Sequence, residues 1–215
     1  MSYHVRKDRC YYNMKIQEIN PVILASKSPR RKDILEKHHV SIVLRPANAD
    51  ETLPEGIGPE EAVSLLSNKK ALACYHSVCP AEFQKGLIIA ADTIVYKDEI
   101  LGKPRDEKDA FRMLSLYRGT SHQVLTGVTL LNVATGHTHT FAETTSIWCK
   151  DYTDQDILDY IRTCKPYDKA GAYGIQEDFS RYIDHYDGDY ENVVGLPYER
   201  LARETEIFTE QESLA

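Results

Sequence analysis

From Pro21 onward, short apolar runs alternate with segments of helical period, and this alternation constrains the fold more than any other feature of the sequence. PVILAS (21–26), SIVLRP (41–46) and LIIAADTIVY (87–96) have the length and β-branched content of buried strands. PRRKDILEKHH (29–39) and EEAVSLLSNKKALACYHSV (60–78) read as helices, the second with apolar residues at Ala62, Leu65, Leu66, Leu72 and Ala73. KDEILGKP (97–104) reads as a turn, and DEKDAFRMLSLY (106–117) as a further helix through Ala110, Met113, Leu114 and Tyr117. HQVLTGVTLLNV (122–133) and THTFAETTSIWCK (138–150) look like paired strands around the turn ATGH, and Thr153 with Asp156 resembles a helix cap before DILDYIRTC. The order predicts an α/β fold with a mixed sheet, carried by a single domain over residues 21–215 behind an N-terminal extension of residues 1–20. In such folds ligands gather beyond the carboxyl ends of strands, and here VILAS runs into KSPRR and LIIAA runs into DT.

No apolar run approaches the roughly 20 residues needed to cross a bilayer, and residues 1–20 lack a secretory-type apolar stretch. A cytoplasmic protein without a membrane partner is the expectation. The five cysteines form no CxxC pair, so reduced, mostly buried thiols are expected rather than a disulfide framework or a zinc site. A net charge of −7 opposes general nucleic-acid binding, so any polyanion must meet a local basic cluster. SPRRK is such a cluster, which Lys69, Lys70 and Lys103 can join.

That cluster poses an electrostatic problem. Pro29 suits the first position of a helix, yet Arg30, Arg31 and Lys32 come directly after it, where the partial positive charge of the helix start disfavours cations. A bound phosphate chain would remove the conflict, because the unpaired N–H groups and the guanidinium forks all donate to anions. The alternative is that Ser28 is a simple N-cap and the arginines form surface ion pairs. Asp92 ends an apolar run and can bind a metal or accept a proton; its other reading is a cap on the next turn, through Thr93. Asp50 and Glu51 read as loop residues that can supply a second metal-binding carboxylate or are simply solvated. Helical spacing does not choose between Lys69 and Lys70 as the lysine on a cleft wall. Lys103, before Pro104, is biased to an extended backbone that holds its ammonium outward. In DKAGAYGIQ (168–176) the glycines permit close approach to a ligand or simply a tight turn, and the Gln176 amide offers both a donor and an acceptor to a nucleobase edge. Neither GxGxxG nor a P-loop is present.

Taken in order, LASKSPRRKDIL, NADE, Lys70-Ala71, AADTIV, LGKP, RMLSLYRGTSHQVLTGV, DKAGAYGIQ and NVVGLP resemble the Maf family of nucleoside triphosphate pyrophosphatases, relatives of the inosine triphosphatase fold. The resemblance implies two lobes around a cleft and hydrolysis of a nucleoside triphosphate to the monophosphate and pyrophosphate. It implies a divalent metal, Mg²⁺ first and Mn²⁺ or Co²⁺ as alternatives. It assigns Ser26, Arg30, Arg31, Lys70 and Lys103 to the phosphates, Lys70 and Lys103 also to the catalytic group, and Glu51 and Asp92 to the metal and the attacking water, with Asp92 as proton acceptor. Arg30, Thr93 and Gln176 resemble the dTTP/UTP branch rather than the branch acting on 7-methyl-GTP. A homodimer is implied by the same analogy. Where the family usually continues GIQ with glycines this chain has Glu177 and Asp178, so a stiffer, more acidic loop is expected. Two other readings stand beside this one: a nucleotide-binding regulator without hydrolysis, and a purine-directed house-cleaning enzyme.

Overall fold

Alternating apolar residues on a long central strand fix the layers. The computed structural model describes residues 15–78, 83 and 86–214. Its centre is β3, Leu87–Lys97, in a seven-stranded mixed sheet of order β2-β1-β3-β5-β6-β7. β1 (Val22–Leu24) pairs in parallel with both β2 (Ile42–Leu44) and β3. β5 (Ser121–Asn132), β6 (Thr138–Cys149) and β7 (Ile183–Asp187) continue antiparallel, and β4 (Glu99–Leu101) folds back on the end of β3. Side chains of a strand point to opposite faces in turn. Ile88, Ala90 and Ile94 therefore meet helix α2 (Pro59–Ser77), whereas Leu87, Ile89, Ala91 and Val95 enter a larger core. That core is shared by α1 (Pro29–Lys37), α3 (Glu107–Tyr117), α4 (Asp154–Cys164), α5 (Tyr190–Val194) and α6 (Tyr198–Leu214). The fold is thus α/β, a mixed sheet flanked by helices, and no helix among the described residues is long and apolar enough to cross a membrane.

The seating of α2 on the sheet depends on a glycine. An ideal Cβ at Gly127 on β5 would stand 2.2 Å from the Val63 carbonyl oxygen, so only glycine lets α2 lie this close. The face α2 turns inward is Ala62, Val63, Leu66, Ser67, Ala71 and Cys74, and Leu72 is exposed. The stripe expected from Leu65, Leu72 and Ala73 is displaced, because a polar residue occupies the true one: Ser67 is buried, its Oγ 2.9 Å from Thr129 Oγ1.

Residues 15–20, read as part of an extension, pack into the domain through Ile16 and Ile19, both buried; residues 1–14 lie outside the described set. Cys74 and Cys149 are buried, and burial pushes their thiols up to about 11 and about 12. Cys164 is partly exposed, and Cys10 and Cys79 fall outside the described residues. The capping box at Thr153 and Asp156 forms as expected.

The buried His122, 3% exposed, lies 4.1 Å from the Tyr117 ring, and its Nε2 is 2.7 Å from the Tyr173 hydroxyl. Burial, with a smaller contribution from Lys97, lowers its pKa to about 3. The unfolded chain protonates this imidazole below about pH 6.5 while the folded chain holds it neutral, so stability is full above that pH and falls as the pH drops. Between pH 7.5 and pH 5.0 the expected loss is about 2 kcal/mol. Urea denaturation across that range tests this; His122→Gln should flatten the slope, and an unchanged slope would assign the effect elsewhere.

Candidate functional site

The edge of β3 is paired with β1 at Leu87–Ile89 and with β4 at Val95–Lys97, leaving residues 90–94 without a strand neighbour on that side. Asp92 and Thr93 sit in the middle of this gap. Being adjacent on a strand, they face opposite sides of the sheet, Asp92 toward α2 and Thr93 toward α1. Asp92 was expected at a strand end; it lies inside β3, and the early stop of β1 at Leu24 exposes it. A cavity of about 710 Å³ opens at this gap. Its wall includes Ser26, Arg30, Arg31, Glu51, Lys70, Asp92, Thr93, Lys103 and Gln176, the nine residues that the resemblance assigns to the site, whereas the candidates Asp50 and Lys69 are not part of it.

On the α2 side the geometry selects Lys70 over Lys69. Lys70 Nζ lies 2.5 Å from Asp92 Oδ1 and 2.9 Å from Glu51 Oε1. Its side chain and that of Asp92 are only 16% and 14% exposed. Lys69 turns away to Asp50 Oδ2 at 3.3 Å and donates to the Thr52 carbonyl at 2.9 Å. Asp50 is therefore a loop residue: it accepts from the Thr52 hydroxyl and N–H, the hydroxyl first among the causes that lower its pKa to about 2. Of the two loop carboxylates, Glu51 is the one that joins Asp92. The Lys70 hydrogen bond is also what most lowers the Glu51 pKa from its usual value.

On the α1 side the three cations of the helix start separate. Arg30 pairs with Asp168 at 3.1 Å, in line with the ion-pair alternative for the arginines, and Lys32 pairs with Glu36 at 3.3 Å. Arg31 differs. Its Nε donates to the Gly195 carbonyl (2.8 Å), one terminal nitrogen to Ser26 Oγ (3.1 Å) and the other to Thr93 Oγ1 (3.0 Å). All three acceptors are neutral, and burial lowers its pKa from the usual value, with Asp92 opposing that shift. Ser28 does not cap with its hydroxyl; its N–H donates to Ser26 Oγ at 3.1 Å instead. Thr93 Oγ1 is 3.0 Å from Thr126 Oγ1, and Thr126 donates to the Asn192 carbonyl at 3.0 Å. The Asn192 amide donates in turn to Val124 O (3.0 Å) and Thr145 Oγ1 (2.9 Å). The segment NVVGLP thus holds Arg31 through Gly195 and Thr93 through Asn192, a role its composition does not announce.

The remaining wall comes from two loops joined by a hydrogen bond from the Gly171 N–H to the Gly102 carbonyl (2.9 Å). Lys103, next to Gly102, is exposed toward the cleft. Gly171 has φ +67°, and a Cβ there would stand 2.4 Å from Val95 Cγ2, so its closeness serves packing on β3 rather than approach to a ligand. Gln176 is exposed and lines the cleft. Glu177, expected to make the loop more acidic, pairs with Lys169 at 3.1 Å, which offsets its charge.

The donor set suits a hard divalent cation. Two carboxylate oxygens converge on the small space now taken by the Lys70 ammonium, and hard cations such as Mg²⁺ commonly take one or two protein carboxylates and complete their shell with phosphate and water. Among the described residues no group of three or more His, Cys, Asp or Glu stands together, so such an ion would draw its other ligands from substrate.

A family model described as Maf-like protein matches residues 21–207. The "dTTP/UTP pyrophosphatase" of Geobacillus sp. (strain WCH70) is 44% identical over 184 residues, 85% of this chain and 95% of its own. A protein of the same description from Carboxydothermus hydrogenoformans is 41% identical over 184 residues, 85% of this chain and 96% of its own. Among solved structures, the Staphylococcus aureus Ham1 protein aligns over 61% of this chain and 72% of its own, with a TM-score of 0.39 and 12% identity.

Proposed function

Because the chain belongs to the Maf family, we propose that it is a nucleoside triphosphate pyrophosphatase that hydrolyses dTTP and UTP to the nucleoside monophosphate and pyrophosphate. The observation that carries this reading is the pairing across one gap in the sheet of Arg31, a partly buried guanidinium with only neutral hydrogen-bond acceptors among the described residues, and the Glu51, Lys70 and Asp92 cluster. The triphosphate lies over the start of α1. Arg30, Arg31, Lys70 and Lys103 offset its charge, and Ser26 donates to a phosphate oxygen. Water attacks the α-phosphorus, its proton passing to the Asp92 carboxylate, while the bond from that phosphorus to the bridging oxygen breaks and pyrophosphate leaves. Positioning and charge stabilisation carry most of such a reaction.

A divalent cation, Mg²⁺ by preference, would be held by Glu51 and Asp92 and would supply neutralising charge at the phosphate oxygens. Lys70 then acts as the cation that keeps the two carboxylates together before substrate arrives and turns to phosphate afterwards. Thr93 fixes the Arg31 fork, and the Gln176 amide reads the pyrimidine edge. A cytoplasmic location and a homodimeric state belong to the same reading, supported by kinship alone.

The test is a panel of dTTP, UTP, CTP, GTP, ITP and 7-methyl-GTP with Mg²⁺, assayed for pyrophosphate. The highest kcat/KM is expected for dTTP and UTP. Preference for ITP or 7-methyl-GTP would overturn the pyrimidine assignment, and nucleotide binding without pyrophosphate from any member would make the protein a regulator.

A further inference from the structure

Lys169 is a cation at the cleft to which the mechanism gives no role. Its side chain is only 9% exposed, and Nζ lies 2.8 Å from Asp168 Oδ1 and 3.1 Å from Glu177 Oε1. The other oxygen of Asp168 accepts from Arg30 at 3.1 Å. Arg30, Asp168, Lys169 and Glu177 therefore form one row of alternating charge along the cleft wall, with Gln176 directly before its last member. A buried ammonium is costly unless paired, so this one stays where two carboxylates meet it. The turn beneath is built to the same shape. The Glu177 N–H donates to the Gly174 carbonyl at 3.1 Å, and a Cβ at Gly174 would stand 3.1 Å from Glu177 Cδ and 3.3 Å from Lys169 Cε.

We propose that Lys169 is a positioning residue that couples the two ends of the substrate site, fixing Gln176 through Glu177 at the base end while holding Asp168 against Arg30 at the phosphate end. Arg30 uses one terminal nitrogen on Asp168 and keeps its other donors for phosphate. Gln176, held at a set height on the rim, distinguishes bases by the donor or acceptor they present. This inference rests on the pyrophosphatase reading, and its test separates the two.

The measurement is kcat and KM for UTP and for CTP, which differ in that edge, together with inhibition by inorganic tripolyphosphate, which has no base. Glu177→Gln changes a partly exposed side chain and is expected to lower the UTP to CTP ratio of kcat/KM about tenfold, one hydrogen bond's worth, without altering tripolyphosphate inhibition. Lys169→Met should lower the ratio and weaken tripolyphosphate as well, and Lys169→Arg should restore both. A wild type that does not discriminate, or variants that discriminate as the wild type does while only melting earlier, would overturn the proposal and leave the pyrophosphatase reading standing. A wild type that releases no pyrophosphate would end both.

Discussion

Asp92→Asn is expected to abolish pyrophosphate release from dTTP while leaving the protein folded. The substitution is nearly isosteric, and the backbone of residue 92 stays paired with Gly127 in the interior of the sheet. What disappears is the negative charge 2.5 Å from Lys70 Nζ, and with it the proton acceptor facing the α-phosphorus. A positioned general base contributes about 10²–10⁴-fold, and the same change removes one of the two carboxylates assigned to the cation. Lys70 keeps Glu51 at 2.9 Å, so the ammonium is not left without a carboxylate and the fold should tolerate the exchange. Pyrophosphate release and a thermal melt on the same preparation check this. A variant that melts like the wild type and turns over dTTP within about threefold of it would remove Asp92 from the mechanism.

Arg31→Lys carries the second large effect, because the residue is used as a fork and not as a charge. A single ammonium cannot reach the Gly195 carbonyl, Ser26 Oγ and Thr93 Oγ1 together and still present two donors to phosphate. Charge-assisted hydrogen bonds are worth roughly 1.5–3 kcal/mol each, so kcat/KM for dTTP should fall about 100-fold, mostly through KM. The carbonyl of Gly195 and the hydroxyl of Thr93 also lose their donor, at a cost to stability of about 1–3 kcal/mol. Steady-state kinetics and urea denaturation read the two consequences separately. Equal kinetics in the lysine variant would mean that only charge is needed there.

The alternation of apolar runs and helical segments placed β1, β2, β3, β5, β6 and the first four helices, but KDEILGKP, read as a turn, holds the short strand β4, Glu99–Leu101, which pairs back on β3 over three residues and has too little length to show a strand pattern. The C-terminal third was less legible for physical reasons. IDHYD in β7 is an edge strand with an exposed polar face, so no apolar alternation marks it. Helix α6 buries Leu201, Thr205 and Phe208 among charged residues, a stripe too sparse to stand out. At the site, residue types were legible and pairings were not. SPRR left an anion site and surface ion pairs both open, and which arginine meets a carboxylate depends on Asp168, far along the chain. NADE offered two carboxylates, and only the fold turns Asp50 into a loop cap. Periodicity left Lys69 and Lys70 open, and the partners decide between them: Lys70 meets Asp92 and Glu51, whereas Lys69 meets Asp50. Lys169 stood inside the motif DKAGAYGIQ, yet nothing local marks it as the meeting point of two acids.

The central claim is spatial: the polyphosphate lies between Arg31 and the Asp92 carboxylate. A crystal structure with the dTTP analogue carrying an imido bridge between the α- and β-phosphates tests it most directly. Phosphate oxygens are predicted within hydrogen-bond distance of Arg31 and Lys70, with the α-phosphorus facing Asp92 and the thymine beside Gln176. A triphosphate bound outside the gap in β3, or inserted with its base at Arg31, would contradict it.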